Sequence, residues 1–148
     1  MRSRDGFTLT EVLIVLILVG IIGGVAFAQV GSMLAQTRVQ RAASVVAADL
    51  RLAHSMAGRQ RMPIEISIDP AGRAFRLRDY TTPTTIYSER HYSSDGEYPI
   101  ESFQTTETSM LVYPNGLADG DVTITLQAGG STRVVTMSRV GQVRVSGS

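Results

Sequence analysis

Gly6-Phe7-Thr8-Leu9-Thr10-Glu11 opens the stretch that decides the fold. Val12 to Val30 completes it with nineteen residues, among which Gln29 is the only side chain more polar than glycine or alanine. As a helix rising ~1.5 Å per residue, that run spans ~28 Å and matches the ~30 Å hydrocarbon core of a bilayer. Arg2 and Arg4 precede it against a single carboxylate, Asp5. The positive-inside bias therefore places the N-terminus in the cytoplasm and everything after Val30 outside. A secretory leader is the competing reading, and Ala26-Phe27-Ala28 offers it a small-x-small cleavage triplet. Against it, the run is longer than a usual leader core. Glu11 also stands at its lip, where an ionised carboxylate at bilayer depth is costly unless a partner neutralises it.

Outward from this stretch, 148 residues leave room for one anchor and one soluble domain of about a hundred residues with a single core. No cysteine is present, so disulfides and thiolate metal sites are excluded and burial and hydrogen bonding must hold the domain. All fourteen basic residues are arginine, against thirteen acids. Bulk attraction to nucleic acid is not implied. The charge is unevenly placed: five arginines and one aspartate lie in 31–61, four arginines and ten acids in 62–132, and three arginines with no acid from Arg133 onward. A basic stalk meets an acidic head with a basic tail, a pattern suited to complementary packing between neighbouring subunits.

The spacing predicts one helix from about Phe7 to Gly58. In its outer half Ala42, Val46, Leu50, Ala53 and Ala57 recur at three and four, with Val45 and Met56 widening the stripe and Arg38, Arg41 and Arg51 off it. Met62-Pro63 ends the helical region. Ile64, Ile66 and Ile68 then alternate with polar residues, Asp69-Pro70-Ala71-Gly72 turns, and Phe75 and Leu77 line a return strand. Residues 80–108 read as a long connection with a strand near Thr85 to Tyr92, suited to binding a partner. The last forty residues read as a further run of antiparallel strands, Met110–Tyr113, Asp121–Leu126, Arg133–Ser138 and Gln142–Val145, separated by glycine-bearing turns. The fold class is α+β, a long N-terminal helix packed on an antiparallel β-sandwich head.

Catalytic and metal chemistry finds little support. His54 and His91 are the only imidazoles and fall in different segments, and His54 reads as a helix-surface residue. No H-x-x-x-H pair suggests zinc, and no cofactor is expected. His91, Ser93 and Asp95 sit in one loop without the rigid positioning a hydrolytic triad needs. Asp119-Gly120-Asp121 faintly follows a calcium loop, but Leu117 occupies a ligand position, and a turn is the better reading.

Gly6-Phe7-Thr8-Leu9-Thr10-Glu11 before an apolar helix resembles the prepilin-type N-terminus of type IV pilins and type II secretion pseudopilins. The resemblance implies that a membrane peptidase cuts between Gly6 and Phe7, that the Phe7 amine is methylated, and that Glu11 guides subunit docking. Thr10 departs from a commonly aliphatic position, Gly20 matches a common glycine, and no proline stands near Ala28. The C-terminal strands, with Tyr113-Pro114-Asn115-Gly116 and the Gly129-Gly130 turn, resemble the GspH/FimT branch of minor pilins and pseudopilins. The implied layout is a leader at 1–6, a transmembrane helix half at 7–30, an amphipathic periplasmic half at 31–61 and a β-rich periplasmic head at 62–148. The implied setting is the bacterial inner membrane, single-pass, with later entry into a filament.

The implied partners are other pilin or pseudopilin subunits through the N-terminal helix, the prepilin peptidase/methyltransferase and inner-membrane lipid. The expected function is a minor pseudopilin of type II secretion, with a minor type IV pilin as runner-up. A DNA-uptake receptor and a membrane-anchored enzyme come further behind, and the expectation is that the chain is not an enzyme. DNA-uptake members of this branch carry a C-terminal Gly-Arg-x-Arg, whereas this chain has Gly141-Gln142-Val143-Arg144. Arg133, Arg139 and Arg144 would give at most a weak, non-specific contact if they clustered at one sheet end, so no DNA binding of physiological strength is expected.

Overall fold

The computed structural model describes residues 8–93 and 96–147, the side chains of 25–29 excepted. One helix, α1 (Leu9–Gln60), runs through more than a third of the chain. Thr8 caps it in extended backbone, its hydroxyl accepting the Glu11 amide at 3.3 Å, which satisfies one of the donors a helix start leaves free. Phe7, the expected first residue, lies outside the described residues. The far end passes the expected stop at Gly58 and breaks at Arg61, which takes a left-handed conformation (φ 56°) just before Met62-Pro63.

The outer half of α1 buries the predicted stripe, Ala42, Val46, Leu50, Ala53 and Ala57, completely. Val45 is only half-buried, and Ala43 and Ala47 widen the stripe instead. Small side chains at five of these positions let the strands approach the helix closely. Val39, Val46 and Leu50 supply the larger apolar contributions, each roughly 1.5–3 kcal/mol when fully buried.

Among the described residues the head holds eight strands: β1 (Ile64–Asp69), β2 (Ala74–Asp79), β3 (Ile86–His91), β4 (Ser102–Thr105), β5 (Ser109–Val112), β6 (Val122–Ala128), β7 (Ser131–Met137) and β8 (Val143–Gly147). They form two four-stranded antiparallel sheets, ordered β3-β2-β1-β5 and β4-β6-β7-β8. The β1–β2 hairpin follows the sequence reading, with Ile66 opposite Leu77 and Ile68 opposite Phe75 on the inner face. In its turn Arg73 takes a positive φ of 48°. The Arg73 guanidinium reaches the Ile100 carbonyl at 3.0 Å and its own carbonyl accepts the Tyr92 amide, so the turn residue also anchors the following loop.

One expectation is corrected: the connection at 80–108 contains β4 as well as β3. The four strands expected in the last forty residues all form, divided between the two sheets. β5 leaves them to pair with β1, Met110 lying opposite Ile66, while β4 crosses to pair with β6, Phe103 opposite Leu126. In these places Phe103, Met110 and Val112 are all buried. Helix and sheets share one core, from Val39 on α1 to Met137 on β7.

Candidate functional site

The residues marked by the sequence fall in three places. At the start, Gly6 and Phe7 lie outside the described residues, whereas Glu11 stands exposed in the first turn of α1. A carboxylate there complements the positive helix end. Beyond it the apolar side chains from Val12 to Ile22 are 48–69% exposed and no part of the head covers them. Glu11, Val12, Val15 and Leu16 border a shallow depression of about 250 Å³. Among the described residues no helix is long and apolar enough to cross a membrane, the side chains of 25–29 at the far end of the run lying outside that set.

The second place is the joint between helix and head. Asp49, 3% exposed, accepts from Arg90 Nε at 2.5 Å and Nη2 at 3.3 Å, tying α1 to β3. This hydrogen bond holds the Arg90 guanidinium above its ordinary pKa. Beside it Tyr92 stacks on Phe103 with ring centroids 5.2 Å apart, and burial pushes its hydroxyl up. Towards the other end of the stalk, His54 is not the surface residue the sequence suggested. Its Nε2 lies 3.0 Å from the Gly116 carbonyl, and its ring fills the space where a side chain at Gly141 would project. Glycines at positive φ in two turns far along the chain were the only sequence signal for this contact.

The third place is the basic tail, where Arg133 and Arg144 do not come together. Arg133 is opposite Gly147 and its Nε donates to Gln40 of α1 at 2.6 Å, so it faces the helix. Arg144 is opposite Thr136, and the alternation of β7 puts that pair on the other face. Arg139 is exposed in the turn between the two strands, its backbone amide donating to Asp121 at 2.5 Å.

Asp119 likewise accepts the Leu111 amide at 3.0 Å, so each acid of the faint calcium loop holds a backbone amide through its Oδ1. Among the described residues no group of His, Asp or Glu could hold a metal ion. His91 pairs with Glu89 at 3.2 Å, Ser93 is half-buried, and Asp95 lies outside the described residues. The outer face of the first sheet is charged but internally paired. Arg78 bridges Glu65 through both carboxylate oxygens (2.6 and 2.9 Å), Ser109 adds a third bond, and Arg76 pairs with Glu89 at 2.7 Å. Those bonds hold Glu65 and Glu89 below the usual carboxylate range.

A single long helix, free over its first half and welded over its second to an antiparallel head, is the architecture of a pilin-type subunit. Two family models agree: a prokaryotic N-terminal methylation motif over residues 1–27 and type II transport protein GspH over residues 42–141. The chain belongs to the GspH family and is a minor pseudopilin or minor pilin. That family is one of structural subunits that assemble with other pilin-type subunits.

The fold is similar to the crystal structure of the type IV minor pilin FimU of Pseudomonas aeruginosa, with a TM-score of 0.60 at 18% identity over 74% of this chain and 89% of that one. It is also similar to the minor pseudopilin EpsH from the type 2 secretion system of Vibrio cholerae, with a TM-score of 0.55 at 14% identity over 74% and 97%. No curated protein matches the chain.

Proposed function

We propose that the chain is a minor pseudopilin of a type II secretion system. In this reading it is cut between Gly6 and Phe7 by a prepilin peptidase, methylated at Phe7, and held in the inner membrane by residues 7–30 with its head in the periplasm until it enters the filament. The observation that carries this reading is the GspH match across the helix–head unit in the same chain as the methylation motif. The exposed apolar half of α1 supplies the surface that lipid covers first and neighbouring subunits later. Glu11 pairs with the new Phe7 amine of a neighbour, which offsets most of the cost of burying it.

A minor type IV pilin is the second reading, favoured by the likeness of the head to FimU. Deleting the gene separates the two: loss of secreted enzymes from the medium with pili intact supports secretion, and the reverse supports the pilus. Mass spectrometry of the membrane form should find an N-methylated Phe7, and cleavage after Ala28 instead would sink both readings. Glu11→Ala should leave cleavage and head folding unchanged while lowering co-purification with the other subunits.

A further inference from the structure

Two clefts adjoin beneath the head, where α1 emerges from its apolar half. One, about 310 Å³, is bordered by Ala35, Arg38, Pro99 and Gly129; the other, about 490 Å³, by Leu34, Arg38, Arg41, Tyr98 and Pro99. Arg38 and Pro99 line both. Arg38 and Arg41 are one helical turn apart and exposed, and among the described residues neither guanidinium has a hydrogen bond or ion pair. No acid occurs on α1 between Val12 and Ala48. The two carboxylates bordering the clefts form no ion pair with either arginine; each accepts a neutral donor, Glu97 the Tyr98 hydroxyl at 3.0 Å and Glu101 the Gly129 amide at 3.0 Å.

Arg38 lies eight residues beyond Val30, ~12 Å along the helix, and bilayer headgroups extend ~5–7 Å past the hydrocarbon. An extended arginine side chain covers the remaining distance. Between the two levels Val30, Met33 and Leu34 are 63%, 64% and 49% exposed, an apolar path from the bilayer up to the arginines.

We propose that in the membrane-resident subunit Arg38 and Arg41 clamp the phosphate of an anionic phospholipid, with its glycerol end lying over Leu34 at the edge of the clefts beneath the head. Guanidinium forks suit phosphate oxygens, and no carboxylate of the stalk competes for them. The bound lipid fixes the height and tilt of the head over the membrane before assembly. The proposal rests on the membrane-anchored reading above.

The test reconstitutes the full-length chain into phosphatidylcholine nanodiscs carrying a minor share of phosphatidylglycerol, releases it in mild detergent, and counts retained lipids by native mass spectrometry. The wild type should retain phosphatidylglycerol about ten-fold above its bulk share. Arg38→Gln/Arg41→Gln should retain it at the bulk share, while Arg51→Gln, an exposed arginine further along the same helix, should behave as wild type. Bulk proportions in the wild type, or equal enrichment in the double variant, would overturn the proposal. Release of the lipid by low-millimolar inorganic phosphate would reassign the clefts to a free anion and overturn it as well. Protection of the clefts only after other subunits are added would assign them to a protein neighbour instead. A chain that never enters the nanodiscs would refute the anchor itself, a failure distinct from loss of lipid preference.

Discussion

Asp49 and Arg90 are 41 residues apart in sequence, and nothing in either neighbourhood announces that they meet. Asp49 follows Ala48 in a helical stripe where an acid would ordinarily face water. It is buried where α1 packs on the head, and Arg90, on the inner face of β3, pairs with it there. Asp49→Ala should cost about 2 kcal/mol in urea unfolding, below the ~3–5 for breaking a fully buried pair, because Arg90 keeps 34% exposure and can turn to solvent. Arg90→Ala in the same background should then add little, since the interaction is already gone.

Glu65, Glu89 and Asp79 carry a second prediction. Asp79 is held low by the Thr82 amide, with the Tyr87 hydroxyl and Thr81 amide adding to it, and Glu65 and Glu89 by their arginines. A carboxylate whose pKa is lower when folded contributes stability fully above its unfolded value and loses it as pH falls through the folded one. Stability should therefore hold from neutrality down to the ordinary glutamate and aspartate values of 4.5 and 3.8, then fall. Circular dichroism melts across that range check it, and Asp79→Asn should flatten part of the slope.

At the scale of elements, the signals strongest in the sequence gave the correct structure: the alternating isoleucines became β1, and the stripe from Ala42 to Ala57 became the buried face of α1. β4 escaped because Ser102-Phe103-Gln104-Thr105 has one apolar residue and so no period to read. The exchange of β4 and β5 between sheets was also illegible, since alternation fixes a strand's faces but not its neighbours. Gly129 shows where elements meet. At φ 54°, its missing side chain is what lets the β6–β7 turn sit against Ala35, and an added Cβ would collide with that methyl. Gly129→Ala should destabilise the folded subunit by roughly 1–3 kcal/mol, through both backbone strain and overpacking. Thermal unfolding should register the loss, and Gly130→Ala, with φ 78° but open space around it, should cost less.

For the whole molecule, the separation of Arg133 and Arg144 onto opposite faces removes the cluster that a nucleic-acid contact would need. Titration of the full chain in detergent against duplex DNA at physiological salt should show no low-micromolar binding, and Arg144→Ala should change nothing. A steeply salt-dependent affinity lost in that variant would contradict this. Sequence could mark only what is local: the residues around the start of α1 follow one another in the chain, whereas the joint at Asp49 and the contact of His54 with the Gly116 and Gly141 turns are made by the tertiary fold.

The uninterrupted α1 also acts as a gear shaft. Its outer half is fixed into the core of the head and its inner half stands clear of the head, so a rotation applied below would be carried to the head. Each residue advances the shaft ~1.5 Å and turns it by roughly 100°. One alanine inserted between Gly24 and Ala35 would thus swing the head a quarter-turn or more out of register with its neighbours, whereas seven would bring it back to within ~20° and merely lift it. The bearing of the head around a filament is set by the count of residues below it.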